Sequence, residues 1–102
     1  MIRVLISDDH AVLRHGLRLI LQSAPDITVI GETGTGADAV ALAVALTPDV
    51  VLMDLELPDM SGIEATQRIR AACPETRVLI LTVSDRKVDF SARSKPVRAA
   101  IY

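Results

Sequence analysis

The sequence predicts an α/β domain built on one doubly wound parallel sheet. The strand order is 2-1-3-4-5, with strand five incomplete or absent. Three observations lead there. Short apolar runs alternate with helical stripes along the chain, the mark of βαβ units with helices on both faces of the sheet. The run Val50 to Met53 is apolar at every position instead of alternating, as in strands buried on both faces. That run ends in a carboxylate, Asp54, followed by a turn from Leu57 to Gly62 that holds Pro58. A rigid strand thus delivers one acid to the carboxyl end of the sheet, where open α/β folds bind ligands. Taken alone, Asp54 reads equally well as a strand-ending residue that caps a turn.

The elements follow in order. Ile2 to Ile6 is a short apolar strand, ended by Ser7, Asp8 and Asp9. Val12, Leu13, Gly16, Leu17 and Ile20 recur at helical spacing, with Arg14 and Arg18 on the other side. Ile27 to Ile30 is strand two, and Ala37, Val40, Ala41 and Val44 mark a helix that Pro48 ends. Val50 to Met53 is strand three. Ile63, Ala65, Thr66 and Ile69 mark a third helix, and Val78 to Leu81 forms strand four, ending at Thr82. From Asp85 the pattern weakens: Val88 and Ala92 suit a helix that Pro96 would stop, and Ala99 to Tyr102 suits the start of a fifth strand.

The bounds from composition are firm. The chain has 102 residues, enough for one domain spanning 1–102 with one modest core. Only Phe90 and Tyr102 are aromatic, so Val, Leu, Ile, Ala and Met must build that core. The net charge is -2 and no basic stripe is present, which argues against direct nucleic-acid binding by this chain. A single Cys73 allows no internal disulfide. The N-terminal apolar run meets Asp8 and Asp9 too soon for a signal peptide, and no run is long enough to span a membrane. A cytoplasmic protein is expected.

The order 2-1-3-4-5 makes strands one and three neighbours, with strand four beside strand three. Asp8, Asp9, Asp54 and Thr82 should then converge. Helix capping accounts for one acid at about 1 kcal/mol, but not for two acids beside a third from another strand. Two carboxylates about 4 Å apart repel by roughly 4 kcal/mol at a surface-like dielectric, so a cation is expected between them. Oxygen ligands with open positions suit Mg²⁺, and a carboxylate beside Mg²⁺ can attack a phosphoryl donor to form an acyl phosphate. Other signals are weaker. Gly31, Gly34 and Gly36 do not form a dinucleotide-binding fingerprint. His10 and His15 have no Cys or His partners at metal spacing, so surface or packing roles are expected, although His10 adjoins the acidic loop and could tune it. Cys73 reads as a buried thiol.

These stretches resemble the receiver domain of bacterial two-component response regulators. The matches are D-D-H-A-V-L-R-H-G-L at Asp8 to Leu17, G-E-T-G-T-G-A-D-A-V at Gly31 to Val40, P-D-V-V-L-M-D at Pro48 to Asp54, L-P-D-M-S-G at Leu57 to Gly62, and V-L-I-L-T at Val78 to Thr82. They cover residues 1–85, and 86–102 are divergent or truncated. The opening is similar to the NarL/FixJ subfamily, whose full-length members carry a LuxR-type helix-turn-helix. The resemblance implies a flavodoxin-like fold and a phosphorelay switch, not an enzyme beyond its own phosphorylation and dephosphorylation. Its partner would be a sensor histidine kinase. Asp54 would be the phospho-acceptor and Thr82 the switch hydroxyl. Asp8, Asp9, Asp54 and the backbone carbonyl of Glu56 would hold Mg²⁺. The lysine that receivers carry at the end of strand five is missing, so either the chain is cut inside that strand or Lys95 substitutes; truncation is the favoured expectation. A cut strand would expose the strand-four side and promote a homodimer there. The alternatives are a receiver remnant serving only as an interaction module, and an Asp-nucleophile phosphatase, whose D-x-D motif is matched here only loosely by Asp54 to Glu56.

Overall fold

A computed structural model describes residues 1–83 and 97–101, with side chains described through Leu81. Eight elements follow one another. They are β1 (Ile2–Ser7), α1 (Ala11–Gln22), β2 (Ile27–Thr33), α2 (Gly36–Leu46), β3 (Val50–Asp54), α3 (Gly62–Ala72), β4 (Arg77–Val83) and β5 (Val97–Ile101). The sheet order is β2-β1-β3-β4-β5. The first four strands are parallel: Val4 pairs with Val29 and Val50, and Val51 with Val78.

The apolar runs divide between two faces, as a strand period of two requires. Leu5, Val51, Met53, Val78 and Ile80 pack with Ala39 and Ala43 of α2 and Ala65 and Ile69 of α3. Val4, Ile6 and Leu52 pack on the other face with Leu17 and Leu21 of α1. Both parities of β1 and β3 are therefore buried, which is why their runs do not alternate. Alanine at 39 and 43 lets α2 lie close on the sheet, and both are fully buried. Cys73 is buried as expected, and its thiol donates to the Ala43 carbonyl at 3.5 Å. Helix α1 is held more loosely. It buries no residue fully, and Val12 and Ile20, expected on its packing stripe, are exposed. The seam on the sheet is the i, i+4 pair Leu17 and Leu21, and the other two side chains are turned away from it.

Strand five was expected to be incomplete or absent. Instead, five residues pair along β4, from Val83 with Val97 to Leu79 with Ile101, and they run antiparallel. A parallel partner needs a crossover of about a dozen residues or more to return to the start of the sheet, and residues 84–96 barely reach that. An antiparallel partner starts where β4 finishes and needs no return. Strand β4 is consequently not a sheet edge, and the exposed strand from which self-association was argued is covered. The helix expected around Val88 and Ala92, and Lys95 and Pro96, lie outside the described residues. Among those described, no helix is long and apolar enough to cross a membrane.

Candidate functional site

The carboxyl ends of β1 and β3 lie side by side, because Ser7 pairs with Met53. The residues that follow therefore emerge together. Asp8 is almost wholly buried, the Asp54 side chain is 12 % exposed, and Asp9 is 31 % exposed. One ligand atom from each of Asp8, Asp9, His10 and Asp54 falls in a set whose members all lie within 4.8 Å of one another. The expected convergence of the three acids is thus present. The capping role considered for Asp8 and Asp9 is not. The N-cap of α1 is His10, whose side chain makes no capping bond, and Asp8 Oδ1 instead accepts the His10 backbone N–H at 2.7 Å.

The turn after β3 is built with little freedom. The Glu56 N–H donates to Asp54 Oδ1 at 3.3 Å, and Gly62 N–H donates to the Leu55 carbonyl at 2.6 Å. Glu56 and Ser61 form a short bridge that closes the turn. Helix α3 then starts under a Ser61 cap, whose hydroxyl accepts the Glu64 N–H at 3.1 Å. Gly62 is packed against the strand end. A Cβ there would collide with the Asp54 carbonyl oxygen and come within 2.9 Å of Leu55 Cα. The backbone of Glu56 thus stands beside Asp54. Thr82 lies one residue past Leu81, the register partner of Asp54, so its backbone flanks the site. Its side chain, like Lys95, lies outside what is described.

Two contributions were not legible in the sequence, and a third was legible only by its position. Asp59, a turn residue by pattern, clamps the start of α2: its two carboxylate oxygens accept from Gly36 N–H at 2.7 Å and Ala37 N–H at 2.9 Å. The Gly36 bond first, then the Ala37 bond, holds the Asp59 carboxyl below its ordinary pKa. Arg14 donates to the Asp8 carbonyl at 2.6 Å and pairs with Glu32 at 3.3 Å, tying α1 to the acidic loop and to β2. His10 places Nδ1 3.2 Å from Asp8, 3.1 Å from Asp9 and 3.8 Å from Asp54. The only sequence signal for it was its position beside the acids.

The donor set is chemically coherent. Clustered carboxylates at about 4 Å repel by roughly 4 kcal/mol a pair at a surface-like dielectric, and a small hard cation removes that penalty. Oxygen donors from three carboxylates, open on the solvent side at Asp9, fit Mg²⁺, which keeps waters and takes few protein ligands.

The response regulator receiver domain family matches residues 4–96. The chain belongs to that family. This receiver is 49 % identical over 90 residues to the transcriptional regulatory protein LiaR of Bacillus subtilis, covering 86 % of this chain and 43 % of LiaR. It is 38 % identical over 86 residues to the nitrate/nitrite response regulator NarL of Escherichia coli, covering 84 % of this chain and 40 % of NarL. Among solved structures, the response regulator domain of Thermotoga maritima CheB superposes with a TM-score of 0.78 at 40 % identity, covering 84 % of this chain and 64 % of that one. The signal receiver domain of a putative NarL from Mycobacterium tuberculosis gives 0.78 at 35 % identity, covering 83 % and 68 %. The receiver is therefore of the NarL/LuxR type, with the sheet order and interleaved helices of that fold. It spans about two fifths of the length of the curated relatives it matches.

Proposed function

We propose that this receiver accepts a phosphoryl group on Asp54 in a Mg²⁺-dependent reaction and acts as a conformational switch. The observation that carries this reading is the meeting of Asp8, Asp9 and Asp54 at the ends of two adjacent parallel strands. The phosphoryl donor would be a phosphohistidine on a sensor histidine kinase. An Asp54 carboxylate oxygen attacks phosphorus, a P–O bond forms, the P–N bond breaks, and the leaving imidazole nitrogen takes up a proton. Asp8, Asp9, Asp54 and the Glu56 carbonyl would hold Mg²⁺, which supplies positive charge to the phosphoryl oxygens. The chain's own contribution is placement. Gly62 and the Ser61 cap hold the turn that presents Asp54, and the Thr82 hydroxyl would donate to a phosphoryl oxygen. Lys95 is kept as the candidate cation for that group. Turnover is confined to the chain's own phosphorylation and dephosphorylation.

Relatives are named as transcriptional regulators, so the switch would control a DNA-binding partner or domain, with no nucleic-acid contact from these residues themselves. A cytoplasmic location follows from that role. A homodimer on the strand-four side would have to form on β5. Intact mass after incubation with acetyl phosphate and Mg²⁺ tests the chemistry. One phosphoryl adduct is expected on the unaltered chain and none on Asp54→Asn. An adduct that persists in Asp54→Asn, or none on either chain, would overturn the assignment.

A further inference from the structure

Arg14 meets the acidic loop through its backbone: Nη1 donates to the Asp8 carbonyl oxygen at 2.6 Å. We propose that Arg14 is a positioning residue for the cation site. It holds the peptide that joins Asp8 to Asp9, and so keeps the two carboxylates aimed at one point before any ion arrives. This rests on the proposed cation site and concerns what gives that site its affinity.

Each peptide of the loop has a restraint. The Asp8 N–H donates to the Thr33 carbonyl at 3.0 Å, which ties the peptide before Asp8 to β2. The His10 N–H donates to Asp8 Oδ1 at 2.7 Å, which fixes the peptide after Asp9. The peptide between the two acids is held by Arg14. That unit is planar, so the direction of its carbonyl sets where Asp9 leaves the chain relative to Asp8. Arg14 is itself anchored. Its Nε lies 3.3 Å from Glu32 Oε1 of β2, and the other oxygen of that carboxylate takes Arg18 Nη1 at 2.7 Å. A guanidinium is a planar fork that can serve a carbonyl and a carboxylate at once. Gly34 leaves room for it, since a Cβ there would stand 3.4 Å from Nη1.

Two effects of opposite sign follow. Carboxylates gathered within 4.8 Å repel one another in the metal-free chain. A loop free to turn would let them separate, and the ion would have to reassemble the set. A loop held by Arg14 has the set assembled already, which tightens binding. Charge acts the other way. A fixed cation near the site repels Mg²⁺, so removing Arg14 for its charge alone would tighten binding.

Arg14→Met removes the donor and the charge but keeps an unbranched apolar stem, and Arg14→Ala removes the stem as well. Mg²⁺ titrations of the whole chain, followed by the NMR shifts of the Asp8, Asp9 and Asp54 amides, give a dissociation constant for each variant. It should rise on the order of tenfold in both. In Arg18→Ala, which takes an equal charge from the same Glu32, it should stay within about twofold. In the metal-free chain, amide exchange at His10 should speed up in both Arg14 variants while Val51 and Met53 of β3 keep their protection. Tighter or unchanged Mg²⁺ binding in Arg14→Met, an equal loss in Arg18→Ala, or lost β3 protection in both Arg14 variants overturns the proposal. Asp54→Asn tests the site beneath it. If Asp54→Asn abolishes the shifts and Arg14→Met leaves the dissociation constant unaltered, Arg14 loses its role and the cation site stands. Mg²⁺ shifts that persist in Asp54→Asn remove both.

Discussion

Gly62→Ala sets two effects of opposite sign against each other. Helix propensity favours the substitution, because alanine replaces glycine at the start of α3, a gain of about 0.5–1 kcal/mol. Space opposes it. The new Cβ would overlap the Asp54 carbonyl oxygen and stand 2.9 Å from Leu55 Cα, and both are backbone atoms with no rotamer to escape into. Relief requires α3 to move away from the end of β3, which lengthens the 2.6 Å bond from Gly62 N–H to the Leu55 carbonyl. Overpacking of this kind costs about 1–3 kcal/mol, and a weakened backbone bond adds about 0.5–1.5 kcal/mol. The net expectation is a loss of about 1–3 kcal/mol, so space wins. With a urea slope of about 1–3 kcal/mol/M, the unfolding midpoint should fall by roughly 1 M, read by circular dichroism. Gly16→Ala is the internal control. It lies within α1, and its Cβ would meet nothing within 4 Å, so propensity acts alone and the midpoint should rise by about 0.5–1 kcal/mol equivalent. A Gly62→Ala midpoint equal to or above that of the unaltered chain would refute the account of the strand end.

Thr47 ends α2 with φ 43°, a left-handed conformation that a β-branched residue enters at a cost of about 1–2 kcal/mol, so Thr47→Gly should stabilise by about 1 kcal/mol in the same urea assay. Asp59 has a folded-state pKa below its ordinary 3.8, so the stability it contributes is present above that value and is lost as pH falls through the folded value. Asp59→Asn should accordingly be less stable at pH 7 by a gap that holds down to about pH 5 and closes below pH 3.8, measured as urea midpoints across pH. Mg²⁺ at millimolar concentration should shift the NMR signals of Asp8, Asp9 and Asp54 amides, and Asp54→Asn should abolish the shifts; spectra indifferent to Mg²⁺ would count against the cation site.

Sequence by itself determined what depends on neighbours in the chain. Runs such as Val50 to Met53 specify strands buried on both faces, and the short apolar runs between helical stripes specify the parallel order of β1 to β4, because burial pattern is local and handed crossovers leave few topologies. Once that order was set, Asp8, Asp9 and Asp54 had to meet. Only tertiary structure decided the rest. The antiparallel direction of β5 is not legible in the residues of the strand. Asp59 reads as an ordinary turn residue until α2, more than twenty residues earlier in the chain, is docked against its carboxylate. Gly62 looks like a helix start until β3 comes to lie against it. His10 reads only as a neighbour of Asp8 and Asp9, and its approach to Asp54, 3.8 Å away on a different strand, appears only in the fold. The contacts of Asp59 with α2 and of His10 with Asp54 join segments far apart in sequence, and that of Gly62 closes the turn back onto β3, so no local period carries a trace of them; they exist only once the fold has brought these segments together.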